Sequence, residues 1–131
     1  MTLQQKMNGY ASVLIVAGKG ALRDALEALL ATMPQIRIIG WVEDSTSALK
    51  LVVEQHPAVV VLDPETLLLD ETWMLLRRIR IISPETRRLM LAETVQQKQE
   101  AETPCAEAAL LKGTSPVELV VTIEKLLAIT P

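Results

Sequence analysis

Five short apolar runs punctuate the chain: SVLIVA (12–17), RIIGWV (37–42), AVVVL (58–62), RLMLA (88–92) and AALLK (108–112). A run apolar on both faces has the pattern of a parallel strand covered on each side by helices. Between the runs, apolar residues return every three or four positions. Leu22, Ala25, Leu26, Leu29, Leu30 and Met33 form one such stripe, with Pro34 just past its end. Asp44, Ser45 and Ser47 offer caps to a second helix carrying Ala48, Leu49, Val52 and Val53. That helix stops at His56-Pro57, where the residue before proline is driven out of the α region.

A third helix over about 71–82 is expected to turn Met74, Leu75, Ile79 and Ile82 inward, and Ser83-Pro84 ends it. Residues 93–104 offer little besides Val95 and Ala101 to bury, so the fourth helix is expected to be weak or remodelled. Ser115 caps the last helix, with Pro116 at its first position and Glu118 completing a capping box. Its stripe is Val117, Val120, Val121, Ile123, Leu126 and Leu127. Strands alternating with helices in this way predict an α/β fold, a doubly wound five-stranded parallel sheet with helices on both faces. The 131 residues make one domain, over 12–129, behind a polar and flexible arm at 1–11.

The third run stops abruptly at Asp63, and Pro64, with no N–H for a ladder, ends the strand. Ligand crevices in such sheets lie at the carboxyl ends of the strands. Asp63 therefore stands where a carboxylate is most useful.

Composition narrows the classes. The only aromatic residues are Tyr10, Trp41 and Trp73, so the core is aliphatic. A net charge of −3 argues against direct nucleic-acid binding. Arg77, Arg78, Arg80, Arg87 and Arg88 make a local basic cluster, either a solvated face or a dock for an acidic partner. Cys105 is the single cysteine, which excludes an internal disulfide and fits a reducing cytoplasm. No apolar stretch approaches the roughly 20 residues that span a bilayer, so no membrane contact is expected. His56, the single histidine, has no second ligand type nearby and is expected to be structural. The GKG turn at 18–20 offers N–H groups to an anion but matches no complete phosphate-loop pattern.

The order of parts resembles a bacterial response-regulator receiver domain of the NarL/FixJ, CheY-like kind. VLIV at 13–16, GWVEDSTSAL at 40–49, HPAVVVLD at 56–63, RRIRIISPETR at 77–87 and LLKGTSPVEL at 110–119 carry the likeness. The resemblance implies strand order 2-1-3-4-5 and a phosphoryl group taken from a histidine kinase onto Asp63. It implies a lysine, here Lys112, that contacts the phosphate. It also implies Mg²⁺ held by an acidic pair at the end of the first strand, a hydroxyl ending the fourth and an aromatic switch on the fifth. Those positions are Ala17 and Gly18, Ala92 and Ala109. No metal or other cofactor is therefore expected, since the family's ligands are largely missing.

The expectation is a degenerate receiver, not an enzyme, acting by protein–protein interaction in the cytoplasm. The protein partner would be a histidine kinase or an output domain. A homodimer is left open, and nucleic acid would be reached only through a further domain. Two alternatives stand beside this reading. One is a working phosphoacceptor at Asp63; the other is a metal-independent anion or nucleotide sensor in the emptied pocket.

Overall fold

A computed structural model describes residues 10–67 and 69–128. The arm expected at 1–11 lies outside the described residues over 1–9, as does residue 129 at the far end. The elements are β1 (Ala11–Val16), α1 (Ala21–Leu30), β2 (Ile36–Val42), α2 (Ser45–Gln55) and β3 (Val59–Leu62). After a single 3₁₀ turn (Pro64–Thr66) come α3 (Leu69–Ile82), β4 (Arg87–Ala92), α4 (Val95–Glu100), β5 (Ala108–Leu111) and α5 (Pro116–Ala128). All strand pairs are parallel, in the order β2-β1-β3-β4-β5, as expected.

The alternation of side chains explains why the runs are apolar throughout. Val13, Ile15, Val59, Val61, Leu89 and Leu91 face one layer, where they meet Leu26 and Leu30 of α1 and Ile123 and Leu126 of α5. Leu14, Val16, Val60, Leu62 and Met90 face the other, against Val52 of α2 and Leu75, Leu76 and Ile79 of α3. Every residue of β3 is fully buried. Side chains of this size each contribute on the order of 1.5–3 kcal/mol when removed from water, so the sheet's two faces supply most of the fold's stability.

Helix starts follow the caps that the sequence offers. Asp44 Oδ1 accepts the Ser47 N–H at 2.7 Å, Thr94 Oγ1 accepts that of Gln97 at 3.1 Å, and Ser115 Oγ accepts that of Glu118 at 3.3 Å. His56 ends α2 in the left-handed region (φ 44°). Its Nδ1 lies 3.0 Å from Ser83 Oγ, which is 2.7 Å from Thr86 Oγ1, whose hydroxyl donates to the Pro57 carbonyl at 2.6 Å. This chain of polar groups joins the end of α2 to the turn after α3, the structural role expected of the histidine.

Three expectations need correction. In α3 the inward positions are Thr72, Leu75, Leu76 and Ile79, while Met74 and Ile82 are 46% and 37% exposed. In α5 Ile123 and Leu126 are buried and Val120 and Leu127 pack against the same core, but Val117 and Val121 face solvent. The basic cluster is not one face: Arg77, Arg78 and Arg80 are exposed, but Arg88 is buried. The Arg88 Nη1–H donates to the Leu76 carbonyl of α3 at 2.8 Å, and its Nε–H and Nη2–H meet Glu107. The fourth helix is indeed remodelled. Six residues of α-helix widen into a π-helical turn over Ala101–Cys105, where Ala101 is fully buried.

Candidate functional site

Asp63 extends the ladder by one residue past β3, its N–H donating to the Val16 carbonyl at 2.8 Å. Lys112 does the same past β5, donating to Ala92 at 2.9 Å, and Ala17 past β1, donating to Val42 at 3.0 Å. The sheet thus brings Ala17, Asp63, Ala92 and Lys112 to one edge, the carboxyl ends of its strands. Gly113 follows Lys112 with φ +88°, a conformation that L side chains rarely adopt and glycine adopts freely.

The Asp63 side chain is 9% exposed. Its Oδ1 accepts the Glu65 N–H at 3.1 Å within the 3₁₀ turn and the Lys112 ammonium at 2.6 Å. The same ammonium lies 2.9 Å from Glu65 Oε2 and also hydrogen-bonds Glu93 Oε1. One ammonium has three protons to donate, and here each has a carboxylate. Burial alone would pull the Lys112 pKa down, but its bonds to Asp63, Glu93 and Glu65 more than offset this and hold it above its ordinary value. The bond to Lys112 and its positive charge hold Glu65 below the usual carboxylate range.

The positions that would complete a magnesium and phosphoryl site are apolar. Ala17, Ala92 and Ala109 are all buried, and Gly18 has no side chain. Carboxylate oxygens of Asp63, Glu65 and Glu93 do lie within 4.8 Å of one another, a spacing open to a cation. Their inward oxygens already surround the Lys112 ammonium, however, and no carboxylate stands at the end of β1. This donor set does not fit a bound Mg²⁺, which wants near-octahedral oxygen ligands.

An open cleft of about 470 Å³ lies beside the cage, lined by the GKG turn, Ala21, Leu22, Asp63 and Glu65. Lys19, Asp63 and Glu65 supply its charged lining, and the Lys19 N–H is taken by Glu43 Oε1 at 3.1 Å. Glu65 was not singled out from the sequence; its place two residues past Asp63, in a turn started by Pro64, was the available signal. Glu93 reaches Lys112 across the gap between β4 and β5. Cys105 is a free thiol on the π-helical turn, away from this edge.

Among the described residues no helix is long and apolar enough to cross a membrane. No family model matches the chain. No curated protein matches it either. Solved structures do. A two-component response regulator of the LuxR family from an Aurantimonas species is 26% identical with a TM-score of 0.80, over 91% of this chain and 86% of that one. A DNA-binding response regulator of the LuxR family from Staphylococcus aureus is 26% identical with a TM-score of 0.75, over 89% of this chain and 98% of that one. The receiver domain of a sensor histidine kinase from Pseudomonas aeruginosa PAO1, with a magnesium ion coordinated in its active-site cleft, shares the fold at 18% identity and a TM-score of 0.79, over 92% of this chain and 99% of that one. With the strand order and the strand-end Asp63 and Lys112 already in place, these likenesses show the receiver fold and support a response-regulator receiver domain.

Proposed function

We propose that this receiver works without magnesium-dependent phosphorylation of Asp63, as a protein-interaction module and not as an enzyme. One observation carries the reading: the Lys112 ammonium sits among Asp63, Glu65 and Glu93 while the end of β1 has no carboxylate. Phosphoryl transfer to a carboxylate is chiefly a matter of positioning and charge neutralisation. Three carboxylates share a single ammonium here, so an incoming phosphoryl group meets excess negative charge, with Ala92 at the position where a hydroxyl would receive it. The partner in this reading is a histidine kinase or an output domain that recognises the folded surface. The lone thiol of Cys105 suits a cytoplasmic setting.

Intact-mass spectrometry after incubation with acetyl phosphate, with and without Mg²⁺, tests this directly, with Asp63→Asn as control. The expected result is no adduct on a protein that is folded by circular dichroism. A Mg²⁺-dependent phosphoryl adduct that disappears in Asp63→Asn overturns the proposal and makes the chain a working phosphoacceptor.

A further inference from the structure

The outward face of α3 carries charges of both signs in a particular order. Along the helix stand Asp70 and Glu71, then Met74, then Arg77 and Arg78, then Ile81, all exposed. At 3.6 residues per turn Met74 and Ile81 lie on the midline of that face, about 10 Å apart. Asp70 and Arg77 flank the midline on one edge, and Glu71 and Arg78 on the other. Met74 is 46% exposed and Ile81 is 78% exposed. Among the described residues none of these four charged side chains forms an ion pair or a side-chain hydrogen bond.

The order acid, apolar, base is complementary to itself when reversed. We propose that this face is a homodimer contact in which α3 of two copies pack antiparallel about a twofold axis through Met74. Each Glu71 then stands beside the partner's Arg78 along one edge, and each Asp70 beside the partner's Arg77 along the other. Their heights on the helix differ by about 1.5 Å in each pair. Met74 packs on its own symmetry mate, a role that its flexible thioether suits. Every charged group of the patch gains a partner from a single isologous contact. A purely acidic partner would leave Asp70 and Glu71 facing like charge, and an anionic membrane would do the same. The inference goes beyond the proposed function and does not depend on the state of Asp63.

Charge reversals test it by sedimentation equilibrium. The wild-type chain is expected to dimerise reversibly, more weakly as salt rises. Arg78→Glu sets two glutamates against the partner's two, and Glu71→Arg sets arginine against arginine. Each variant alone is expected to lose at least about tenfold in dimer affinity. An equimolar mixture of the two variants restores both pairs and is expected to associate as the wild type does. Val117→Asp, on the exposed face of α5, is expected to leave the dimer unchanged. A wild-type chain monomeric up to about 1 mM, a mixture no better than its components, or a dimer lost in Val117→Asp would each overturn the proposal.

Discussion

The guanidinium of Arg88 and the carboxylate of Glu107 meet in two parallel hydrogen bonds, Nε to Oε1 at 3.1 Å and Nη2 to Oε2 at 2.6 Å. The Arg88 backbone N–H donates to the same Oε1 at 2.7 Å, and the Glu107 N–H returns a bond to the Arg88 carbonyl at 3.1 Å. A buried arginine is thereby fixed at the start of β4 by the residue that precedes β5. Two-pronged arginine–carboxylate pairs are among the stronger hydrogen-bonded contacts, and arginine cannot escape burial by losing its proton.

Glu107→Gln keeps the shape of this pair but leaves Arg88 charged, buried and short of a counter-charge. The expected loss is about 3 kcal/mol, read as a lower urea midpoint with an unchanged slope. Burial pushes the Glu107 pKa up, but the Arg88 guanidinium more than offsets it and holds the carboxyl below its ordinary value. A carboxyl lowered in the folded state stabilises above its unfolded pKa of about 4.3, and that contribution is lost as pH falls through the folded value. The gap between wild type and Glu107→Gln is therefore expected to be full at pH 7 and to close in acid.

Lys112→Met removes the ammonium from three carboxylates whose oxygens lie within 4.8 Å. Unshielded, they are expected to take up a divalent cation. The melting temperature of Lys112→Met is expected to rise on adding Mg²⁺ or Ca²⁺, with no such rise in the wild type. In the wild type the raised Lys112 pKa gives a contribution fully present below the unfolded value of about 10.4, lost only as pH climbs through the higher folded one.

Thr86→Val takes the hydroxyl from the buried chain that runs from His56 to the Pro57 carbonyl. Thr86 is 1% exposed, so the Pro57 carbonyl and the Ser83 hydroxyl each lose a bond far from water. Leaving such groups unmatched costs about 1–3 kcal/mol. Chemical denaturation should show the loss, with the strand order intact by circular dichroism.

Gly113→Ala tests the turn that aims Lys112. A Cβ at this position would meet nothing within 4 Å, so any penalty comes from the backbone at φ +88° alone. About 1 kcal/mol of destabilisation is expected, against none for an alanine in an ordinary turn.

The sheet was legible in the sequence because a strand covered on both faces has no polar position to blur its pattern; Val59–Leu62 is the clearest case. Asp63 was legible for a related reason, as the first polar side chain after such a run, whereas Lys112 was expected from the resemblance. Met74 and Ile82 were misread because α3 carries apolar residues on more than one face. The period alone does not say whether Leu76 or Met74 turns inward. Packing against β3 and β4 decides it. Arg88 was hidden among four nearby arginines. Its burial follows from register, in which Leu89 pairs with Ala108 and so sets Arg88 opposite Glu107. That relation joins residues far apart in the chain and has no local signature. The carboxylate cage was hidden likewise, because Glu65 and Glu93 meet only once β3, β4 and β5 stand side by side.

The cation at the strand ends of this receiver is built into the chain. Every molecule carries one, at fixed stoichiometry, from the moment β5 docks beside β4. Chelators cannot strip it. By binding Asp63, Glu65 and Glu93 together, it also staples the segments that leave β3, β4 and β5, so that a push on one is felt at the other two.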